Sequence, residues 1–178
     1  MPAPPAFEFS IGASNCLFAS TRYSRWAAFF DVIKAFYEAL HESTTPGIKL
    51  IRLHYLDRFT ATERDADPFE VINKNSSLMN AVTLSSKSAF HLHCGWFEYL
   101  ACELRRLTNV NISVDEMQSD GVRQAVIVTM LQDEALEGRV GDVLTRIGVL
   151  HGDLNRLFGD LITKDAADRV SLNSVQSS

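Results

Sequence analysis

Cysteine is scarce in this chain, and what there is forms no pattern: Cys16, Cys94 and Cys102 make an odd number with no C-x-x-C pair. That suits a reducing compartment better than a disulfide framework, and it leaves Cys16 and Cys102 to be read as small core or half-buried residues. Positive charge is also short, with 17 Lys and Arg against 22 Asp and Glu and a formal charge of −5. The basic residues are dispersed, so nucleic acid is not expected as a primary partner, because phosphate binding needs clustered cations. No run approaches the roughly 18 apolar residues of a membrane span. The opening Met1-Pro-Ala-Pro-Pro-Ala has neither the basic nor the apolar region of a signal peptide, and cytoplasm is the expected location. Missing as well are the G-x-S-x-G nucleophile elbow, the phosphate loop and a G-x-G-x-x-G turn. No catalytic residue, metal site or cofactor is therefore assigned.

What is present is an ordinary globular balance, 46% hydrophobic and 22% charged over 178 residues, enough to remove about 70% of the unfolded surface from water. The pattern predicts disordered tails over 1–6 and 171–178 and a single α+β domain over 7–170. Phe7–Ile11 and Asn15–Ala19 flank a Gly12-Ala-Ser turn and read as a short hairpin. Ser20 or Thr21 can cap a helix in which Tyr23, Trp26, Phe30, Ile33, Tyr37 and Leu40 recur every three or four residues. The Thr44-Thr-Pro-Gly47 cluster ends it.

Ile48–Phe59 alternates as a strand, with Ile51, Leu53 and Tyr55 on one side and Arg52, His54 and Leu56 on the other. After a turn-like 60–67 and a short helix somewhere in Phe69–Leu84, three strands are expected, Ser88–Glu98, Glu103–Val114 and Gln124–Asp133, with Asp120-Gly121 in the last turn. A closing helix runs from about Gly138 to Ile162, its stripe formed by Val143, Ile147, Leu150, Leu154, Leu157, Phe158 and Leu161, and Thr163 caps a further turn through Val170. The expected fold is α+β: a curved antiparallel sheet of five to six strands packed against two long helices, the second of them C-terminal.

Three constellations bear on function. His91-Leu-His93 places two imidazoles on one strand face, and His54 is the candidate third zinc ligand, although no carboxylate or cysteine stands at a diagnostic spacing. Asp57-Arg58, with Tyr55, reads either as a polar site or, more simply, as an ion pair fixing a loop. Gly141, Gly148, Gly152 and Gly159 fall within about 20° of one line on the closing helix, roughly 145° from the apolar stripe. Each interior glycine costs up to about 1 kcal/mol against alanine, so the line asks for an explanation. It is a bend in the helix, a face packed on the Phe69–Leu84 segment of the same chain, a groove for a partner or a second copy, rimmed by Thr145, His151, Asn155 and Arg156, or a feature with no role.

Two segments, Arg52-Leu-His-Tyr-Leu-Asp-Arg-Phe59 and His151-Gly-Asp-Leu-Asn-Arg-Leu-Phe158, carry R-L-x-Y-[IL]-[DN]-R-F and H-x-x-L-x-x-x-F patterns. With Tyr23-x-x-Trp26-x-x-Phe29, they resemble a sporadically distributed family of uncharacterised bacterial proteins. The resemblance implies no reaction, cofactor or catalytic residue; the family's patchy distribution points to defence, immunity or toxin–antitoxin settings.

Two functions are expected on this basis. The first is a non-catalytic protein-binding component, holding a protein partner or a second copy through the closing helix (Gly141, Thr145, Gly148, His151, Gly152, Asn155, Arg156, Gly159) or through the polar sheet face. The second is a small enzyme or small-ligand binder with a pocket between sheet and helices, using His54, Asp57, Arg58, His91 and His93.

Overall fold

The computed structural model describes residues 7–20, 25–44, 47–61, 67–85, 89–101, 103–115 and 123–170. Both predicted tails, 1–6 and 171–178, lie outside these residues, as do Thr21, Tyr23, Cys102 and the Asp120-Gly121 turn. Contacts divide the chain into two compact units, Met1–Gly47 and Ile48–Ser178.

In the first unit, β1 (Glu8–Ile11) and β2 (Cys16–Ala19) form the predicted hairpin, closed by Gly12 N–H donating to the Asn15 carbonyl at 2.8 Å. Phe9 and Phe18 are register partners, and both rings meet Phe36 of helix α1 (Trp26–Ser43), at 4.4 and 4.8 Å between centroids. The helix stripe thus packs on aromatic rings of the hairpin. Its start differs from expectation: Arg25 is the N-cap, in extended backbone with no side-chain cap, so Ser20 is not the capping residue. Cys16 is exposed, not part of a core.

In the second unit, β3 (Leu50–Ala61), β4 (Phe90–Leu100), β5 (Leu104–Asp115) and β6 (Arg123–Ala135) form one antiparallel sheet in the order β3-β6-β5-β4. The meander of the last three strands and the strand after Gly47 are as read from the alternation. The sheet has four strands rather than five or six, because the N-terminal hairpin is a separate two-stranded sheet. Of the two long helices, α3 (Val143–Leu161) packs on this sheet, whereas α1 belongs to the first unit.

One face of the sheet is covered. Odd positions of β3 and β6 and even positions of β4 and β5 share it, giving cross-strand rows such as Asp57–Ile127–Ile112–Leu92. Val110, Ile112, Ala125 and Ile127 are buried there beneath Leu154, Phe158 and Leu161 of α3 and Ala166 and Ala167 of α4 (Lys164–Arg169). Asp142, not Gly138, starts α3, its carboxylate accepting from Thr145 N–H. Thr163 caps α4 through Ala166 N–H as expected. The 67–85 segment supplies a 3-10 turn (Pro68–Val71) and a short helix α2 (Ala81–Ser85), and an Ile72–Ile162 bridge ties it to the end of α3.

Candidate functional site

Beneath α3 the covered face is not wholly apolar. Tyr55, on β3, and His151, on α3, meet with Tyr55 Oη 2.8 Å from His151 Nδ1, while Asn155 Nδ2 lies 3.0 Å from His151 Nε2. An amide NH2 only donates, so in this orientation Nε2 accepts and the ring's single proton sits on Nδ1, donating to the Tyr55 oxygen. Burial holds His151 neutral, lowering its pKa to about 4. Thr129 is the register partner of Tyr55 and fully buried, yet its Oγ1 has no hydrogen-bond partner among the described residues. Two residues along β3 and on the same face, the half-buried Asp57 carboxylate has no hydrogen bond or ion pair among the described residues, and burial raises its pKa to about 6.

At the other end of this face is a buried charge network. Asp133 accepts two hydrogen bonds from Arg106, at 2.7 and 2.8 Å, and Arg146 stands 3.4 Å from the same carboxylate. Arg106 also pairs with Asp153, which in turn pairs with Arg156. The Asp133 hydrogen bonds raise the Arg106 pKa and keep the guanidinium charged.

The opposite face of the sheet carries a different set. Register gives the rows Arg52–Gln132–Leu107–Phe97, His54–Met130–Asn109–Gly95, Leu56–Val128–Asn111–His93 and Arg58–Val126–Ser113–His91. Leu56 is 56% exposed, Phe97 58% and Tyr99 76%. Leu107, Val126, Val128 and Met130 between them are half-buried. Arg52 donates to Gln132 Oε1, Arg105 pairs with Glu134 at 2.7 Å and lies over the Phe97 ring, and Asn109 Nδ2 approaches His93 Nε2 at 3.0 Å. The face is an apolar band edged by polar and basic groups.

These placements correct several sequence expectations. His91 and His93 do share a face with His54, but β3 and β4 are opposite edges of the sheet, three strand spacings or about 14 Å apart. The three cannot close on one ion, and among the described residues no cluster of His, Cys, Asp or Glu is arranged for a metal. Asp57 and Arg58, being adjacent in a strand, point to opposite faces and form no ion pair, so the proposed set of His54, Asp57, Arg58, His91 and His93 is not brought together. Cys94 lies on the covered face, packed against the core.

On α3 the proposed groove is only partly present. Gly141 precedes the N-cap and is not on the helix, and His151 is buried under the helix rather than on a rim. Asn155 is half-buried against His151, while Thr145 and Arg156 are exposed. Gly148 and Gly152 are half-buried, and a Cβ added to either would meet nothing within 4 Å. Close packing against the described residues is therefore not what selects glycine at these two positions.

Sequence reasoning missed Phe97 and Tyr99 as exposed surface. Their strand parity, shared with His91 and His93, carried that signal. No family model matches the chain, and no curated protein or solved structure is detectably similar to it. The resemblance thus rests on its quoted motifs.

Proposed function

We propose that this chain is a non-catalytic protein-binding component whose contact surface is the uncovered face of the four-stranded sheet. The observation that carries this reading is the exposure of Leu56, Phe97 and Tyr99 around the half-buried Leu107, Val126, Val128 and Met130 on one face of the sheet. Contiguous exposed apolar surface with a polar rim costs solubility and is characteristic of interaction sites. The outer face of α3, with Gly148 and Gly152, is the lesser candidate surface. The setting, a bacterial defence, immunity or toxin–antitoxin complex, is suggested by the family resemblance.

Co-purification of the full chain from its native cells tests this, comparing wild type, Leu50→Glu/Leu56→Glu and Gly148→Leu/Gly152→Leu. A stoichiometric protein partner kept by the helix variant and lost by the sheet variant is the expected result. Loss in the helix variant alone, or no partner for the wild type, overturns it.

A second reading, a small-ligand site, is favoured by the half-buried Asp57 carboxylate beside the Tyr55–His151 pair. A ligand there shifts the Asp57 titration followed by NMR. A ligand screen that leaves this titration unmoved counts against the second reading.

A further inference from the structure

We infer that two copies of this chain pair through the outer edge of β4, antiparallel about a two-fold axis at Gly95, to give one continuous eight-stranded sheet. The two edges of the sheet differ in a way that selects this one. β3 carries Arg52 and Arg58 on the uncovered face and directs Asp57 to the covered face, and such charges, especially inward-directed ones, are how exposed edges are kept from pairing. β4 has none of these devices along its middle. Its eleven residues, Phe90–Leu100, contain no Lys, Arg or Pro, and their single formal charge, Glu98, stands near one end. An edge of this length leaves about ten backbone N–H and C=O groups without a strand partner among the described residues. Gly95 is the central residue of the strand and has no side chain to stand between two copies; the neighbouring β5 comes close there, the Thr108 carbonyl oxygen lying 3.1 Å and the Asn109 Nδ2 3.3 Å from where a Cβ would be.

A two-fold axis at Gly95 sets His91 opposite Tyr99 of the second copy and His93 opposite Phe97 on the uncovered face. Cys94 then faces Trp96, and Leu92 faces Glu98, on the other. No like charges are opposed, and the most exposed large side chain of the strand, Tyr99 at 76%, gains an aromatic cross-strand neighbour. The contact is isologous and closes on itself, so it yields a dimer and not a filament. It also joins the two uncovered faces edge to edge, doubling the surface described above.

Light scattering on the full chain across a dilution series, with amide hydrogen exchange of β4, tests this. The wild type is expected to show twice the chain mass of 19.9 kDa and slow exchange along Phe90–Leu100. His91→Lys/Tyr99→Lys opposes lysines across the axis and should give a folded monomer by circular dichroism. His91→Lys/Tyr99→Glu opposes unlike charges and should remain a dimer, and Leu56→Lys, on the other edge, should leave the dimer unchanged. A wild type that is monomeric throughout overturns the proposal, as does a monomer with protected β4 amides, which would assign the edge to another element of the same chain. Equal behaviour of the two His91/Tyr99 variants overturns the Gly95 register, and dissociation by Leu56→Lys moves the contact to β3.

Discussion

Tyr55 and His151, 96 residues apart, join the edge strand β3 to the middle of α3 through one hydrogen bond of 2.8 Å beneath the helix. With Asn155 holding the other ring nitrogen, the imidazole is fixed as its Nδ1–H tautomer. Tyr55→Phe leaves this N–H without its acceptor in a buried site. A loss of about 1–2 kcal/mol is expected, measured as a lower urea midpoint with an unchanged slope. An unchanged midpoint would show that the bond contributes nothing.

Asp57 and His151 pull the pH dependence of stability in opposite directions. The Asp57 pKa is raised to about 6, so the folded state binds its proton more tightly than the unfolded chain, and stability falls as pH rises from about 4 to 6. The His151 pKa is lowered to about 4, so its contribution is complete above the unfolded value near 6.5 and is lost as pH falls towards 4. The two largely offset between pH 4 and 6. Asp57→Asn should add about 1–2 kcal/mol at pH 7, after allowance for its partial exposure to solvent, and should steepen the loss of stability on acidification. Denaturant melts at several pH values check both, and a parallel shift at every pH would refute the assignment.

Asp133 is completely buried and is held by Arg106 through two bonds. Asp133→Ala strands a buried guanidinium, with Asp153 as its remaining partner, and should cost about 3 kcal/mol or more. Arg106→Met/Asp133→Leu removes both charges and should recover most of that loss, since buried ion pairs and apolar replacements are often nearly equal in stability. Thermal melts of the single and double variants give the coupling directly. Equal losses in both would mean that the network contributes more than the burial of its charges.

Gly148 and Gly152 lie inside α3 with open space where a side chain would go. Gly148→Ala and Gly152→Ala should each stabilise by about 0.5–1 kcal/mol through the backbone entropy of the unfolded chain. Destabilisation in calorimetry would reveal a close contact on that face.

How far the fold could be read from the chain depended on the range of the interaction concerned. The alternation of Ile51, Leu53 and Tyr55 and the stripe from Val143 to Leu161 were legible because one buried face imposes its period on the residues. Strand order was not, since nothing local in Arg52–Phe59 says that it pairs with β6 at 123–135, and that pairing is what separates His54 from His91 and His93. Two further placements follow from local period alone. His151 lies four residues after Ile147 and three before Leu154, on the apolar stripe, and this position puts it under the helix in spite of its polarity. Asp57 and Arg58, as strand neighbours, had to face opposite ways.

The Ile72–Ile162 bridge carries a further consequence. It fastens residues 90 positions apart, and α3 and α4 follow all four strands in the chain although they close the face on which Val110, Ile112 and Ile127 are buried. During synthesis, therefore, the four strands emerge with that face wet until these two helices follow, and the sheet must wait, sticky and uncovered, for its own lid.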